Sequence, residues 1–166
     1  EWESACQPAI HAGIRVVHLR FGMVLSPCGG ALAAMPPAFQ WGAGGHIGNG
    51  RQYWSWVSLD DAIGAVLHAL MHSELEGPLN LVSPNPVTNT EITRMRGRGV
   101  NRPTVLPLPA IGARLLLGEM AEALLLTSLR VVPTQLAESG YRVRHPQLED
   151  ALRHCLGRNE SPAIGV

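Results

Sequence analysis

The segment Ile14-Arg15-Val16-Val17-His18-Leu19-Arg20 constrains the fold more than any other part of the chain. It carries adjacent valines and is bounded by Gly13 and Gly22, the pattern of a strand. Residues 3–12 read as the last turns of a helix that Gly13 closes. A helix feeding a buried strand through so short a turn belongs to a layered α/β architecture. At 166 residues the chain is long enough for one domain with a core of its own.

The remaining pattern alternates in the same way. Residues 31–35, rich in alanine, read as a short helix stopped by Pro36-Pro37. Gln52-Tyr53-Trp54-Ser55-Trp56-Val57 is aromatic and β-prone, and Ser58-Leu59-Asp60-Asp61 has the capping pattern that opens a helix running to about His72. That helix carries Ile63, Val66, Leu67 and Leu70 on one side and Asp61, Gly64, His68 and His72 on another. Leu79–Val82 reads as a strand, and Thr88-x-x-Glu91 opens a second helix, in which Gly97 and Gly99 each cost about 1 kcal/mol against alanine. Residues 105–108 read as extended, and 110–126, apolar nearly all round, as a helix that must be buried. Pro133 starts a short helix that Gly140 ends, and Tyr141–Arg144 reads as a last strand. Pro146 opens a final helix with Leu148, Leu152 and Leu156 aligned.

Charge and composition remove whole classes of function. All 13 basic residues are arginines, balanced by 13 acidic ones, so lysine-dependent chemistry cannot come from these residues: no Schiff base, no P-loop lysine. The zero net charge also lacks the footprint of a nucleic-acid binder, and the cluster Arg94, Arg96, Arg98 and Arg102 has no interleaved aromatics. Three cysteines without C-x-x-C spacing fit a reduced compartment, and no apolar run reaches membrane-spanning length. A cytoplasmic location is expected, with an organelle matrix as the alternative.

Four groups of residues invite a chemical reading. The stretch 42–50 is the most glycine-dense in the chain, but isoleucine stands at 47 where a dinucleotide fingerprint needs its third glycine; it reads as a loop that can cover a ligand, with His46 a candidate donor from it or simply an exposed loop histidine. His68 and His72 have zinc-like i, i+4 spacing without an evident third ligand, so a solvated stripe is preferred and no metal is expected. Asp60 and Asp61 look like an acid/base pair, but Ser58 beside them makes helix capping the better account. Arg51, just after the glycine loop, suits a phosphate or carboxylate, or is a surface arginine.

Taken in order, a set of segments resembles one known family. They are Leu19-Arg20-Phe21-Gly22-Met23-Val24-Leu25-Ser26, Gly29-Gly30-Ala31-Leu32, Gly48-x-Gly50-Arg51-Gln52-x-x-Ser55-Trp56-Val57-x-x-Asp60-Asp61, Asn85-Pro86-Val87-Thr88-Asn89-x-Glu91, Arg102-Pro103, Leu116-Leu117-Gly118-Glu119-Met120 and Arg130-Val131-x-Pro133. Together they resemble an atypical branch of the extended short-chain dehydrogenases/reductases, the sugar-nucleotide-epimerase-like group of the NAD(P)-dependent epimerase/dehydratase superfamily. The resemblance covers nearly all of residues 1–157. It implies an α/β fold, the C-terminal part of a Rossmann-like structure with a small substrate-side α/β domain. Residues 1–27 would end the dinucleotide-binding domain, 28–157 would form the substrate side with 52–72 returning to the Rossmann sheet, and 158–166 would be a tail.

The same resemblance implies where function resides. The nucleotide-binding glycines and the catalytic tyrosine would lie in an N-terminal half upstream of Glu1, so this chain carries no catalytic residue and is inactive alone. Phe21, Gly22 and Val24 become candidates for contact with the nicotinamide of NADP or NAD, a glycine admitting a flat ring and Phe21 supplying an apolar wall. A strand-end turn with Phe21 in the core is the other reading of those residues. Arg51 and His46 are the substrate-side candidates, and Glu3 matches a structural helix glutamate. The expected partners are a small-molecule substrate and the N-terminal half, with no nucleic acid and no membrane. The branch generally lacks the usual catalytic lysine, which keeps a second expectation open: a non-catalytic NADP sensor or interaction protein, as for division-associated relatives.

Overall fold

The computed structural model describes residues 2–29, 49–99, 128–155 and 157. A 3-10 turn over Glu3–Cys6 leads into α1 (Gln7–His11), which Gly13 ends at φ 73°, the left-handed geometry that glycine adopts without strain. Two short strands follow, β1 (Val17–Phe21) and β2 (Met23–Leu25). Beyond them lie β3 (Tyr53–Trp54), β4 (Trp56–Ser58), α2 (Leu59–Met71) and β5 (Gly77–Leu81). Then come β6 (Val87–Thr88), α3 (Asn89–Gly99), α4 (Thr134–Glu138) and α5 (Leu148–Cys155).

Pairing gives a parallel β1/β5 ladder in register Val17↔Gly77 to Phe21↔Leu81, a parallel β2/β4 ladder and an antiparallel β3/β6 pair. The chain therefore changes partner at Gly22, and changes again at Ser55. The single β-prone run expected over 52–57 is two strands for that reason. The predicted last strand at Tyr141–Arg144 is not formed: the backbone N–H groups of Arg144 and His145 turn to the Asp61 carboxylate, at 2.7 and 3.1 Å, instead of to a ladder. The final helix starts at Leu148, two residues after Pro146, and buries Leu148 and Leu152. The helices expected over 31–35 and 110–126, the extended stretch 105–108 and residue Leu156 lie outside the described residues.

Both capping signatures are present. Ser58 Oγ accepts from the Asp61 N–H at 3.0 Å and donates to Asp61 Oδ2 at 2.7 Å; Glu91 reaches back to the N–H of Thr88 at 2.7 Å. Arg15 closes the other end of α2, donating to the carbonyls of Ala69 and Leu75 at 3.0 and 2.9 Å, where a helix leaves carbonyls without partners.

α2 buries the side opposite to the one its large apolar residues would favour. Asp61, Ala62, Ala65 and Ala69 are inside, whereas Ile63, Leu67, Leu70 and Met71 are exposed. Small side chains let the helix lie close to Leu75, Leu79, Leu81 and Leu136. Tyr141 also crosses Gly64, its hydroxyl donating to the Asp61 carbonyl at 3.0 Å. A second core gathers Leu25, Trp54, Trp56, Val87, Ile92, Leu148, Ala151 and Leu152. No helix among the described residues is long and apolar enough to cross a membrane.

Near the N-terminus, Arg20 grips Glu3 with two parallel bonds, Nε to Oε1 at 2.6 Å and Nη2 to Oε2 at 2.7 Å. The glutamate expected to be structural is thus the tie between the first turn and the end of β1. These bonds hold the Glu3 carboxyl below its ordinary pKa, the Arg20 hydrogen bond being the main cause.

Two outcomes follow from these contacts. A Cβ at Gly64 would be driven into the Tyr141 hydroxyl, so Gly64→Ala should destabilise by about 1–3 kcal/mol despite the better helix propensity of alanine. In a Tyr141→Phe background the same change should cost less, as denaturant titration of the four-membered cycle would show. Because the Glu3 pKa is depressed by folding, the stability it contributes is present above the unfolded value of about 4.3 and is lost as pH falls through the lowered folded value. The stability difference between the native protein and Glu3→Gln should therefore persist at neutral pH, shrink with salt, and close in acid.

Candidate cofactor- and substrate-facing site

The turn between β1 and β2 is built by close approach of three chain segments. Gly22 donates its N–H to Leu81 O at 3.2 Å, and Met23 donates to Ser55 O at 2.8 Å. A Cβ on Gly22 would stand 2.7 Å from Ser55 O and 2.8 Å from Val82 Cγ1, so any side chain there would push apart the ends of β3 and β5. The absence of a side chain at position 22 is thus used by the protein's own packing. Phe21 precedes it at the carboxyl end of a parallel strand, the edge at which open α/β sheets receive ligands. Phe21 is 51% exposed, so it is not a core residue. Val24 sits half-buried on β2.

Ser55 is the residue that sequence reasoning passed over. Its carbonyl holds Met23, while its buried hydroxyl donates to Leu129 O at 2.9 Å and accepts from the Val131 N–H at 2.8 Å. The stretch 128–131 is thereby laid along β3, helped by Leu129 N donating to Tyr53 O at 2.9 Å. The Arg130 guanidinium sits 5.3 Å from the Tyr53 ring centroid. A lone serine between two tryptophans has no local pattern that announces such a role; the partners of its hydroxyl lie more than seventy residues away.

Arg51 lies further back along the same segment. Gly50, with φ 69°, accepts from both the N–H and the hydroxyl of Thr90, at 3.0 and 2.9 Å, and Gln52 O accepts from Asn89 N at 2.9 Å. These bonds pin the residues on both sides of Arg51 to the start of α3 and leave its side chain exposed. Ser55 stands four positions further on, roughly 13 Å of extended backbone. Arg51 and the Gly22 turn therefore do not touch, but stand at opposite ends of β3. His46 lies outside the described residues.

The two other candidate groups resolve into structure. Asp61 is buried, and its carboxylate is taken by Ser58, Arg144 and His145, which leaves it no part in proton transfer. His68 and His72 stack, with ring centroids 3.7 Å apart, rather than converging on an ion. Ser139 spends its hydroxyl proton on Leu136 O at 2.8 Å, so His68 Nε2 donates to Ser139 Oγ at 2.9 Å; His72 Nδ1 donates to His68 O at 2.9 Å.

Comparison with known proteins bears on this geometry. Residues 108–155 match a family described as a domain of unknown function, DUF1731. Over 158 residues the chain is 46% identical to the "Epimerase family protein ML0860" of Mycobacterium leprae (strain TN), covering 95% of this chain and 52% of that protein. Human epimerase family protein SDR39U1 (isoform 2), solved with NADPH, superposes with a TM-score of 0.81 at 33% identity, over 88% of this chain and 50% of that one. The UDP-glucose 4-epimerase of Thermus thermophilus, solved with NAD, gives a TM-score of 0.67 at 19% identity over 94% and 50% of the two chains, a likeness of fold alone. The chain thus spans about half the length of the curated relatives it matches. It is similar over nearly its whole length to about half of each of these epimerase family proteins, and it shares the α/β fold of the solved ones.

Proposed function

We propose that the chain is the C-terminal half of an NAD(P)-dependent, epimerase-like oxidoreductase acting on a sugar-nucleotide-like or other small carbonyl or hydroxyl substrate. The observation that carries this reading is the state of β1. Strands of parallel sheets are covered on both faces, yet no residue of β1 is buried, and among the described residues it is paired on the β5 side alone. On the segment that leads into it Trp2 is 95% exposed and Ile14 60% exposed. An upstream dinucleotide-binding half would supply the missing strand. Residues 1–27 and 52–72 would complete its sheet, the rest to 157 would face the substrate, and 158–166 would be a tail.

The residues at the Gly22 turn fit the nicotinamide end of the cofactor. Phe21 offers an exposed ring at the carboxyl edge of the sheet, and Phe21, Gly22 and Val24 bring no charge against a neutral or cationic ring. The chain holds no G-x-G-x-x-G for the pyrophosphate, so that part of the cofactor falls to upstream residues. When bound, the cofactor supplies hydride exchange. This chain's own contributions are a fixed turn, tied by Leu81 and Ser55, an apolar wall from Phe21, and a guanidinium at Arg51 to orient a phosphate or carboxylate, with His46 as a further donor.

The test uses the full-length protein. NADPH should bind it and should not bind residues 1–166 alone. Arg51→Ala should raise KM about tenfold or more with little change in kcat, the loss of one charge-assisted contact made equally in the ground and transition states. Failure of the full-length protein to bind NADPH or NADH overturns the assignment. Cofactor binding with no turnover of any sugar nucleotide assayed favours the sensor reading over the enzyme.

A further inference from the structure

Outside the site just described, three side chains from three separate elements converge on one point. Asp60 stands in the first turn of α2, His154 in the last turn of α5, and His145 on the irregular segment between α4 and α5. One ligand atom from each lies within 4.8 Å of the other two. His154 Nε2 meets Asp60 Oδ2 at 2.5 Å, and the imidazoles of His145 and His154 face each other at 4.5 Å between centroids. All three are half-buried.

We infer that Asp60, His145 and His154 form a binding site for a divalent transition metal, zinc by preference. Two imidazole nitrogens and one carboxylate oxygen suit a borderline ion and not magnesium or calcium, which take oxygen donors. The neighbouring acceptors and donors have other work. Asp61 is saturated by Ser58 and the backbone of Arg144 and His145, and Cys155 donates its thiol to Leu25 O at 3.6 Å. Three protein ligands thus remain, with the fourth tetrahedral position open to water or an anion. The site is also held in place before any ion arrives. The Asp61 carboxylate fixes the backbone of His145 at 3.1 Å, Ser58 and Asp61 fix the turn that bears Asp60, and Leu152 and Ala151 seat α5 in the core beneath His154. Tetrahedral bonds of about 2.0–2.2 Å place ligand atoms roughly 3.4 Å apart, inside the 4.8 Å over which the three already gather. The ion would join the start of α2 to the end of α5, where the Asp60–His154 hydrogen bond already links them.

The experiment takes the full-length protein without a histidine tag, strips it with a chelator and titrates it with Zn2+ by calorimetry, with Co2+ as the spectroscopic substitute. One ion per chain should bind, Co2+ should give the intense visible absorption of a tetrahedral centre, and Zn2+ should raise Tm. Asp60→Asn, His145→Gln and His154→Gln should each weaken binding by more than the roughly 10–100-fold that outer-shell changes cost, whereas His68→Gln and His72→Gln should leave it unchanged. Absence of stoichiometric binding overturns the inference, as does binding that survives all three substitutions or is lost with His68 or His72. Should a ligand variant fail to fold, the Zn2+-dependent Tm shift and Co2+ spectrum of the unmodified protein decide the matter: no shift and an octahedral spectrum overturn it.

Discussion

The carboxylate of Asp61 is the interaction on which the described structure depends. A buried carboxylate is costly unless its lone pairs are filled, and here the Ser58 hydroxyl and the N–H groups of Arg144 and His145 fill them at the positive end of a helix. The consequence reaches further than the helix cap. Once residues 144 and 145 are fixed, the carbonyl of Pro146 faces Ser83 Oγ and Asn85 Nδ2, both at 3.0 Å. Ser83 in turn donates its N–H to Trp56 O, and Trp56 donates its indole N–H to Asn85 O. A closed circuit of hydrogen bonds thus runs from α2 through the C-terminal segment to the end of β5 and back to β4.

What was legible in the sequence was local. The capping boxes at Ser58 and Thr88 span four residues each, and the glycines at 13 and 140 end their helices with positive φ, as their positions in the pattern require. The α/β class followed from one helix-turn-strand junction and survived intact. Nonlocal choices were hidden. Nothing in the helical period tells that α2 buries alanines and exposes Ile63 and Leu67, because that choice is made by how closely β5 and Tyr141 approach. The strand expected at Tyr141–Arg144 failed for the same reason: its amides found a carboxylate more than eighty residues away.

The site candidates divide along the same line. Gly22 was singled out for its lack of a side chain, and the structure shows what occupies that space, the backbone of Ser55 and the methyl of Val82. Asp60 and Asp61, indistinguishable in sequence, have opposite fates one residue apart: one is saturated by the fold, the other faces two histidines. No spacing rule links positions 60, 145 and 154, since only the three-dimensional path of the chain brings them together.

Ser55 joins two walls through one residue. Its carbonyl holds the turn on which the proposed cofactor contacts lie, and its hydroxyl holds the strand-like stretch at 129–131. A displacement of either wall is transmitted through a single peptide unit to the other. Natural variation or engineering on one side of Ser55 therefore cannot be independent of the other: a substitution that shifts the turn at Gly22 would require a compensating change along 129–131, acquired together.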